Sequence, residues 1–532
     1  MKNNIIKYIF LIFVIALIVF ACYTVYKDES NKANIQNETT TSSENNVSND
    51  IRLCIVGYDT INPILSNNRN VQEISRLIYE PLLTLDKNYK PEGCLAQEWS
   101  KVGDTSYIIK IKQNLKWQDG SKITANDVKF TIDRLKDTQS IYSYNAMHIS
   151  EVEIIDNYTV KIYTDSNIAF FEYNLTFPIL SKDFYEGEEF ANSNKNTMPL
   201  ASGMYKIESN DGNTIVLKKN LNYWNISEKN VKIETIMVNL YSSMGEAYNN
   251  FKLGNVDLLT TQNTNVEQYI GTMGYNKKEY TGRDHDFIAM NCSNNLLSRP
   301  EIRKAVAYAI DKSGIISSVY SGKYYTANFP IDCGFWCYES EAGSLGYNPD
   351  QARQILIDNG WQYKYGYWQI TENYRTTRLT LELIVNSNNE SQVAVAEVIK
   401  SNLENIGIKL KINKVSYEQY NEYIENKTYS MIITGTTIGL NPDLSTYMGE
   451  NNMANYQNDE ALNIIKELKS VFDDEKTKEN IKKLSEIYTS DFPYISLYFN
   501  KNTVVYSSSL TGDVEPNCYN IFYGIENWYR TY

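Results

Sequence analysis

A strand, a turn and a helix follow one another between Leu95 and Leu135, and this succession constrains the fold more than any other part of the 532-residue chain. Tyr107, Ile109 and Ile111 alternate with their neighbours, which predicts the strand. A tryptophan and an Asp-Gly pair follow, and they predict a turn. This order is typical of a fold that mixes helices with sheets.

The helix of this stretch begins with a capping pattern. Thr124 precedes Asp127 by three residues, the spacing at which the two side chains cap the first turn from both sides. After the cap, apolar residues recur at helical spacing and predict one buried face: Val128, Thr131, Ile132 and Leu135.

The stretch resembles the signature of the bacterial extracellular solute-binding proteins of the oligopeptide and dipeptide class (family 5), which serve ATP-binding-cassette importers. The matching residues are Leu95-Ala96, Trp99, Leu115, Trp117, Asp119-Gly120, Thr124-Ala125 and Asp127-Val128. The segments LKKNLNYWN and SRPEIRKAVAYAIDKSGII continue the resemblance, which extends over residues 51–532.

The resemblance implies an α/β, two-lobed periplasmic-binding-protein-like fold (type II, cluster C) with an extra subdomain in the first lobe. The length of the chain agrees, because it exceeds what a single core usually holds. We expect lobe I at 51–282, with the extra subdomain at about 92–197, lobe II at 283–491, and a return to lobe I at 492–532.

Two further helices have recognisable starts. Ser298 is expected to cap a helix that carries Ile302 and Val306. Asn348 is expected to cap another helix, with Pro349 as its first residue.

Residues 1–27 predict a signal peptide or a membrane anchor. Lys2 and Lys7 precede an apolar run, and Val19-Phe20-Ala21-Cys22 resembles a lipobox, in which Cys22 would be acylated. Phe20 departs from the small or β-branched residue usual there, so an uncleaved membrane helix is the alternative. Both place the protein at the extracellular face of the bacterial cell membrane.

Residues 28–50 are rich in Asn, Ser, Thr and Glu, and we expect a disordered tether there. Over the whole chain, 64 acidic and 51 basic residues give a net charge of -13. Nucleic acid is therefore excluded as a partner, because it is bound by clustered Lys and Arg. The resemblance implies instead a monomer that works with a permease and ATPase subunits.

Residues for catalysis and metal binding are scarce. His148 and His285 are the two histidines, and neither has other ligands at metal-binding spacing, so surface or capping roles are expected. Gly322-Lys323 lacks the upstream glycine of a phosphate-binding loop. We therefore predict a protein that is not an enzyme and holds no cofactor or metal.

Seven cysteines occur, and six remain if Cys22 is lipidated. Cys333 and Cys337 are close enough in sequence to close a small disulfide loop. Reduced, partly buried thiols are an equally good interpretation, because the cysteines are scattered over a large chain.

The resemblance implies a ligand held between the lobes, with a peptide backbone paired to edge strands. In many peptide binders of the family, a Gly-Trp pair is followed, three residues after the Trp, by an Asp that holds the ligand's α-ammonium. Here Gly435 matches, Thr436 stands in place of the Trp, and Gly439 stands in place of the Asp. Asp443 is the nearest substitute for that Asp, although it is also a typical turn residue after a proline.

Further ligand-binding candidates are an asparagine, a glycine and two aromatic residues in expected loops: Asn62, Gly203, Tyr205 and Trp368. Residues of these types in loops more often have structural roles, and that alternative stays open for each.

Three functions compete. The first is capture of oligopeptides by lobe closure and their delivery to a permease. The second, which the missing Asp favours, is binding of a non-peptide solute such as a metal chelate. The third is a peptide-signal sensor; neighbouring permease and ATPase genes would favour transport, and an orphan gene would favour signalling.

Overall fold

A computed structural model describes residues 47–48, 50–262, 265–331, 334–338 and 346–531. The predictions for the leader, Cys22, most of the tether and Cys333 lie outside these residues. The main body, Asn49–Arg530, is one compact unit. Within the described ranges, no helix is long and apolar enough to cross a membrane.

The largest sheet has seven strands. Six of them are ordered Leu258–Thr261, Tyr494–Ser507, Tyr275–Met290, Met431–Thr437, Thr380–Asn386 and Lys409–Val415. The seventh, Tyr324–Thr326, pairs with Tyr494–Ser507. The last three of the six run parallel, whereas the two long strands are antiparallel to each other.

Two four-stranded sheets belong to the N-terminal half. One is ordered Asp50–Val56, Thr235–Tyr241, Thr214–Lys219 and Tyr205–Asn210. The other, ordered Ala96–Lys101, Ser106–Ile111, Thr159–Thr164 and Ile149–Asp156, contains the strand predicted at Tyr107 to Ile111, which is thereby confirmed. The remaining strands are short: Val47–Ser48, Leu83–Leu85, Pro91–Gly93, Gln362–Lys364, Tyr367–Glu372, Arg375–Arg378, Leu510–Thr511 and Tyr529–Thr531.

The helices pack on these sheets. Those of nine residues or more are Arg69–Ile78, Ala125–Asp137, Met244–Lys252, Pro300–Ala309, Lys312–Tyr320, Pro349–Asp358, Glu390–Asn405, Tyr417–Asn426, Asp459–Leu468 and Asp474–Asp491. The four-residue helices are Ser143–Ala146, Lys182–Tyr185, Glu267–Ile270 and Ser445–Met448, and 3-10 turns occupy Phe171–Leu175, Phe190–Asn192, Asn194–Thr197 and Ile525–Asn527.

The capping pattern at Thr124 is confirmed. The Thr124 amide donates to Asp127 Oδ2 at 2.8 Å, and the Thr124 side chain accepts from the amide of Asp127. Asp127 also accepts, through Oδ1, from the amide of Lys182 at 2.8 Å. One carboxylate therefore starts the helix and attaches it to a segment about 55 residues away.

The other two predicted caps have different outcomes. Asn348 caps its helix as expected, because its Oδ1 accepts from the amide of Gln351 at 2.9 Å. The prediction for Ser298 is wrong. Pro300 takes the first helical position, so the cap is Arg299, and the Ser298 hydroxyl donates instead to the Asn295 carbonyl oxygen at 3.3 Å.

Three large hydrophobic cores occupy the body. The first is built from residues between 51 and 258 together with residues between 504 and 528, and the second from residues between 288 and 498. The third joins residues between 85 and 173 to residues between 287 and 494 and to Tyr519. The strand Tyr494–Ser507 takes part in the first two, since Leu497 lies in the second core and Val504 in the first. It pairs antiparallel with Tyr275–Met290, so two adjacent strands connect the cores.

Candidate functional site

A cavity of about 600 Å³ lies beside the connecting strands and is lined from both halves of the body. The N-terminal half contributes Gln72, Arg76, Tyr142, Asn145 and Tyr173, and the C-terminal half contributes Arg283, Phe335, Thr436, Gly439, Asp443 and Tyr447. The C-terminal return adds Tyr519. Hydroxyl, amide and guanidinium groups are thus mixed with aromatic rings, the composition expected of a pocket for a polar organic ligand.

The strand Met431–Thr437 brings Thr436 to this cavity. At the preceding Gly435, a Cβ atom would lie 2.2 Å from the Oδ1 atom of Asp286 on the neighbouring strand, so a larger residue there would have to displace this carboxylate. Three of the residues chosen from sequence, Thr436, Gly439 and Asp443, therefore lie together in the lining.

Asp443 is exposed and takes part in a local turn. Its Oδ1 accepts from the Ser445 amide at 2.9 Å and from the Ser445 hydroxyl at 2.6 Å. Its own amide donates to Asn441 Oδ1 at 3.3 Å. These contacts are those of a residue that shapes the loop, although the carboxylate also lines the cavity.

Asn62 and Gly203 are not part of this lining. Asn62 is fully buried, and its Nδ2 donates to Asn196 Oδ1 at 2.8 Å and to the Tyr185 hydroxyl at 3.2 Å. Gly203 packs against a helix end, where an added Cβ would lie 2.7 Å from the Ile78 carbonyl carbon. Both positions support the framework of the N-terminal half.

Tyr205 and Trp368 are core residues rather than cavity residues. Tyr205 is 0% exposed and its hydroxyl donates to the Ile233 carbonyl oxygen at 3.1 Å. Trp368 is 4% exposed and its Nε1 donates to the Ile406 carbonyl oxygen at 2.7 Å. In each case a main-chain acceptor inside the core satisfies the polar end of the aromatic side chain.

Sequence reasoning missed the two arginines of the cavity. Arg76 lies on the helix Arg69–Ile78, with its guanidinium carbon 4.0 Å from the centre of the Tyr519 ring. Arg283 lies on the connecting strand Tyr275–Met290, and its carbonyl oxygen accepts from the Ile438 amide at 2.9 Å. An arginine among the apolar residues Ile74, Leu77 and Ile78 was the one signal for Arg76.

His285 is buried, so its expected surface or capping role is wrong. Its Nδ1 lies 2.9 Å from the hydroxyl of Tyr447, which lines the cavity, and its ring packs on Phe287 and Phe499. Burial, with the charge of Lys312 in addition, lowers the pKa of His285 to about 3. The imidazole is therefore neutral and supports the cavity wall.

His148 keeps a surface position, where its Nδ1 lies 3.1 Å from Asp165 Oδ1. Among the described residues, no group of three or more His, Cys, Asp or Glu side chains is arranged to hold a metal ion.

A loop from the C-terminal half contacts the N-terminal half beside the cavity. The Trp336 amide donates to the Asn88 carbonyl oxygen and its Nε1 donates to the Tyr173 hydroxyl, both at 2.9 Å. Phe335 stacks on Tyr89 with the ring centres 4.9 Å apart. Phe335 and Trp336 therefore make a direct contact between the two halves of the body.

A family model of the bacterial extracellular solute-binding proteins, family 5 Middle, matches residues 90–458. The chain belongs to this family. Proteins of the family bind solutes and do not convert them, so the prediction that the chain is not an enzyme is confirmed.

Individual relatives agree over most of the length. Oligopeptide-binding protein AppA of Bacillus subtilis is 24% identical over 500 residues, which cover 89% of this chain and 90% of that protein. Heme-binding protein A of Haemophilus influenzae is 23% identical over 542 residues, which cover 93% and 95%.

Among solved structures, the periplasmic murein tripeptide-binding protein MppA in its unliganded open form has a TM-score of 0.78 at 15% identity. The match covers 91% of this chain and 98% of MppA. The predicted two-lobed, type II α/β fold is confirmed by this likeness.

Proposed function

We propose that this family 5 solute-binding protein captures oligopeptides between its lobes and delivers them to the permease of an ABC importer. The observation that carries the proposal is the cavity beside the connecting strands, which both halves of the body line with hydroxyl, amide and aromatic groups. Such groups suit a peptide main chain, whose amides and carbonyls need partners whatever its sequence. The relative named as an oligopeptide-binding protein supports the same ligand class.

The ligand would act by stabilising a closed arrangement. Because the cavity lining comes from both halves, a bound peptide contacts both and favours the conformation in which they approach. The two connecting strands are the hinge about which this motion takes place. A lipid on Cys22, or an uncleaved N-terminal helix, holds the protein at the extracellular membrane face, with residues 28–50 as a tether.

The test is to identify what the protein carries. We expect denaturation of the purified protein to release peptides that mass spectrometry detects. Calorimetry should then show that the same peptides, once synthesised, bind to the protein again. Release of a single non-peptide compound, with no heat from any peptide, would contradict the proposal.

A non-peptide solute is the second candidate. Gly439 stands where the family resemblance would place an Asp for a peptide's α-ammonium, and one relative is named for heme. Addition of hemin or of a nickel-histidine complex to the emptied protein distinguishes this candidate, because its binding would change the metal's absorption spectrum.

A further inference from the structure

The charged residues that line the cavity beside the connecting strands are mainly basic. Two guanidinium groups, Arg76 and Arg283, and one carboxylate, Asp443, line it. That carboxylate already accepts two hydrogen bonds from Ser445. In a protein with a net charge of -13, the wall of the cavity is therefore locally cationic.

Neither guanidinium has an ion-pair partner within 4.0 Å among the residues that the structure describes. The Nε of Arg76 is buried and makes no hydrogen bond. Glu73 lies one turn before Arg76 on the same helix; burial raises the pKa of its carboxyl, and the charges of Arg76, Arg69 and Arg283 lower it. Arg76 and Arg283 are only partly buried, and guanidiniums without a carboxylate within 4.0 Å keep donors that can bond to an anion of the ligand.

The two arginines come from different parts of the body. Arg76 extends from a helix whose Ile74, Leu77 and Ile78 belong to the first core. Arg283 lies on the connecting strand, and its carbonyl oxygen is bonded to Ile438 of the loop that contains Gly439. A group that bonds to both side chains therefore joins the first lobe to the hinge and to the cavity loop.

We infer that Arg76 and Arg283 together bind a carboxylate of the ligand, and that this protein holds a peptide by its acidic end rather than by its α-ammonium. The inference rests on the proposed peptide-binding function. A guanidinium binds a carboxylate through two parallel hydrogen bonds, which gives both affinity and orientation. Gly439 agrees with this assignment, because a peptide held through its carboxylate needs no acidic side chain at position 439 to pair with its α-ammonium.

The test uses one peptide that binds the wild-type protein, prepared as the free acid, as the C-terminal amide and as the N-acetylated acid. We expect the amide to bind at least about tenfold more weakly than the acid, the loss typical of a charge-assisted hydrogen bond. N-acetylation should change the dissociation constant by less than about threefold.

The variants Arg283→Gln and Arg76→Gln assign the effect to residues. Each variant should bind the free acid peptide more weakly and bind the amide with nearly unchanged affinity. The ratio of the two affinities, acid to amide, should therefore fall towards one. Arg69→Gln, on the same helix but outside the cavity lining, is the matched control and should keep the wild-type ratio. Arg283→Lys should recover only part of the ratio, because an ammonium lacks the planar fork. If Arg76→Gln does not fold, as judged by circular dichroism, Arg283→Gln carries the test.

The outcomes separate the two proposals. For a peptide without Glu or Asp, equal binding of acid and amide by the wild-type protein overturns the carboxylate assignment and leaves peptide binding intact, as does an unchanged ratio in Arg283→Gln. For a peptide that contains Glu or Asp, a side chain is the source if its replacement by Gln or Asn weakens binding to the wild-type protein but not to Arg283→Gln, and equal weakening in both proteins overturns the assignment. If no peptide binds in any form, the proposed function fails and this inference fails with it.

Discussion

Packing and charge are coupled at Asp286. It lies on a connecting strand against Gly435, and burial, with the charge of Asp284 in addition, raises the pKa of its carboxyl from 3.8 to about 7. Nearby Tyr320, Tyr324 and Tyr498 have their pKa raised in part by the same carboxylate. The folded state thus favours the protonated acid.

The sign of the pH dependence follows. Between pH 3.8 and about 7 the unfolded chain is ionised at Asp286 and the folded chain is protonated, so stability falls as the pH rises through this window. We expect Asp286→Asn to remove its share of this fall and to raise the free energy of unfolding by about 1 to 3 kcal/mol above pH 7. A share that comes from Glu172 remains, because burial raises the pKa of its carboxyl from 4.5 to about 7. Urea unfolding across the pH range measures the effect of Asp286→Asn, with Asp104→Asn, at an exposed position that does not influence Asp286, as the control. Parallel curves for wild type and Asp286→Asn would be inconsistent with this account.

Asp443 provides a second test at the residue scale. Because its Oδ1 is engaged by Ser445, we expect a loop-shaping role and not an ammonium partner. Asp443→Asn should then change the affinity for free-amine and N-acetylated peptides by the same factor in calorimetry. A loss of about tenfold or more for the free-amine peptide alone would instead assign it the role of the missing Asp.

Single residues of the cavity were only partly predictable from sequence. Thr436, Gly439 and Asp443 were found because they are close in sequence to a recognisable family segment. Arg76 and Tyr519 were missed because they meet across more than four hundred residues of chain. Tyr205 and Trp368 were chosen as aromatic residues in loops, but their burial depends on acceptors in distant segments that no local pattern reveals.

At the scale of elements, local signals predicted well. The cap at Thr124 and the cap at Asn348 form within three residues of sequence and depend on little else. The Ser298 prediction failed by one residue because the proline that follows fixes where the first helical turn begins.

The loop that carries Phe335 and Trp336 allows a test at the same scale. Trp336→Ala removes one hydrogen bond and the ring that contact Tyr173, and so weakens a contact between the halves. We expect the ligand-free variant to have a larger radius of gyration and a ligand affinity lower by about three- to tenfold. Small-angle scattering and calorimetry check this, with the fully exposed Tyr374→Ala as control. Unchanged values for Trp336→Ala would mean that the contact has no part in the equilibrium.

For the whole molecule, one stretch was enough to predict the family and the two-lobed α/β fold, because the spacing of its residues is specific. The boundaries proposed for the lobes, and for the extra subdomain at about 92–197, stay predictions. The ligand was not predictable at this scale, because related proteins share the scaffold and differ in a few cavity residues.

The central claim is that the two halves close on a ligand that contacts both. Small-angle X-ray scattering of the purified, ligand-stripped protein, with and without a saturating peptide identified by mass spectrometry, tests it most directly. We expect the radius of gyration to fall on addition of the free acid peptide and to change less with its C-terminal amide at the same concentration. Superimposable scattering curves with and without a peptide that calorimetry shows to be bound would contradict the claim.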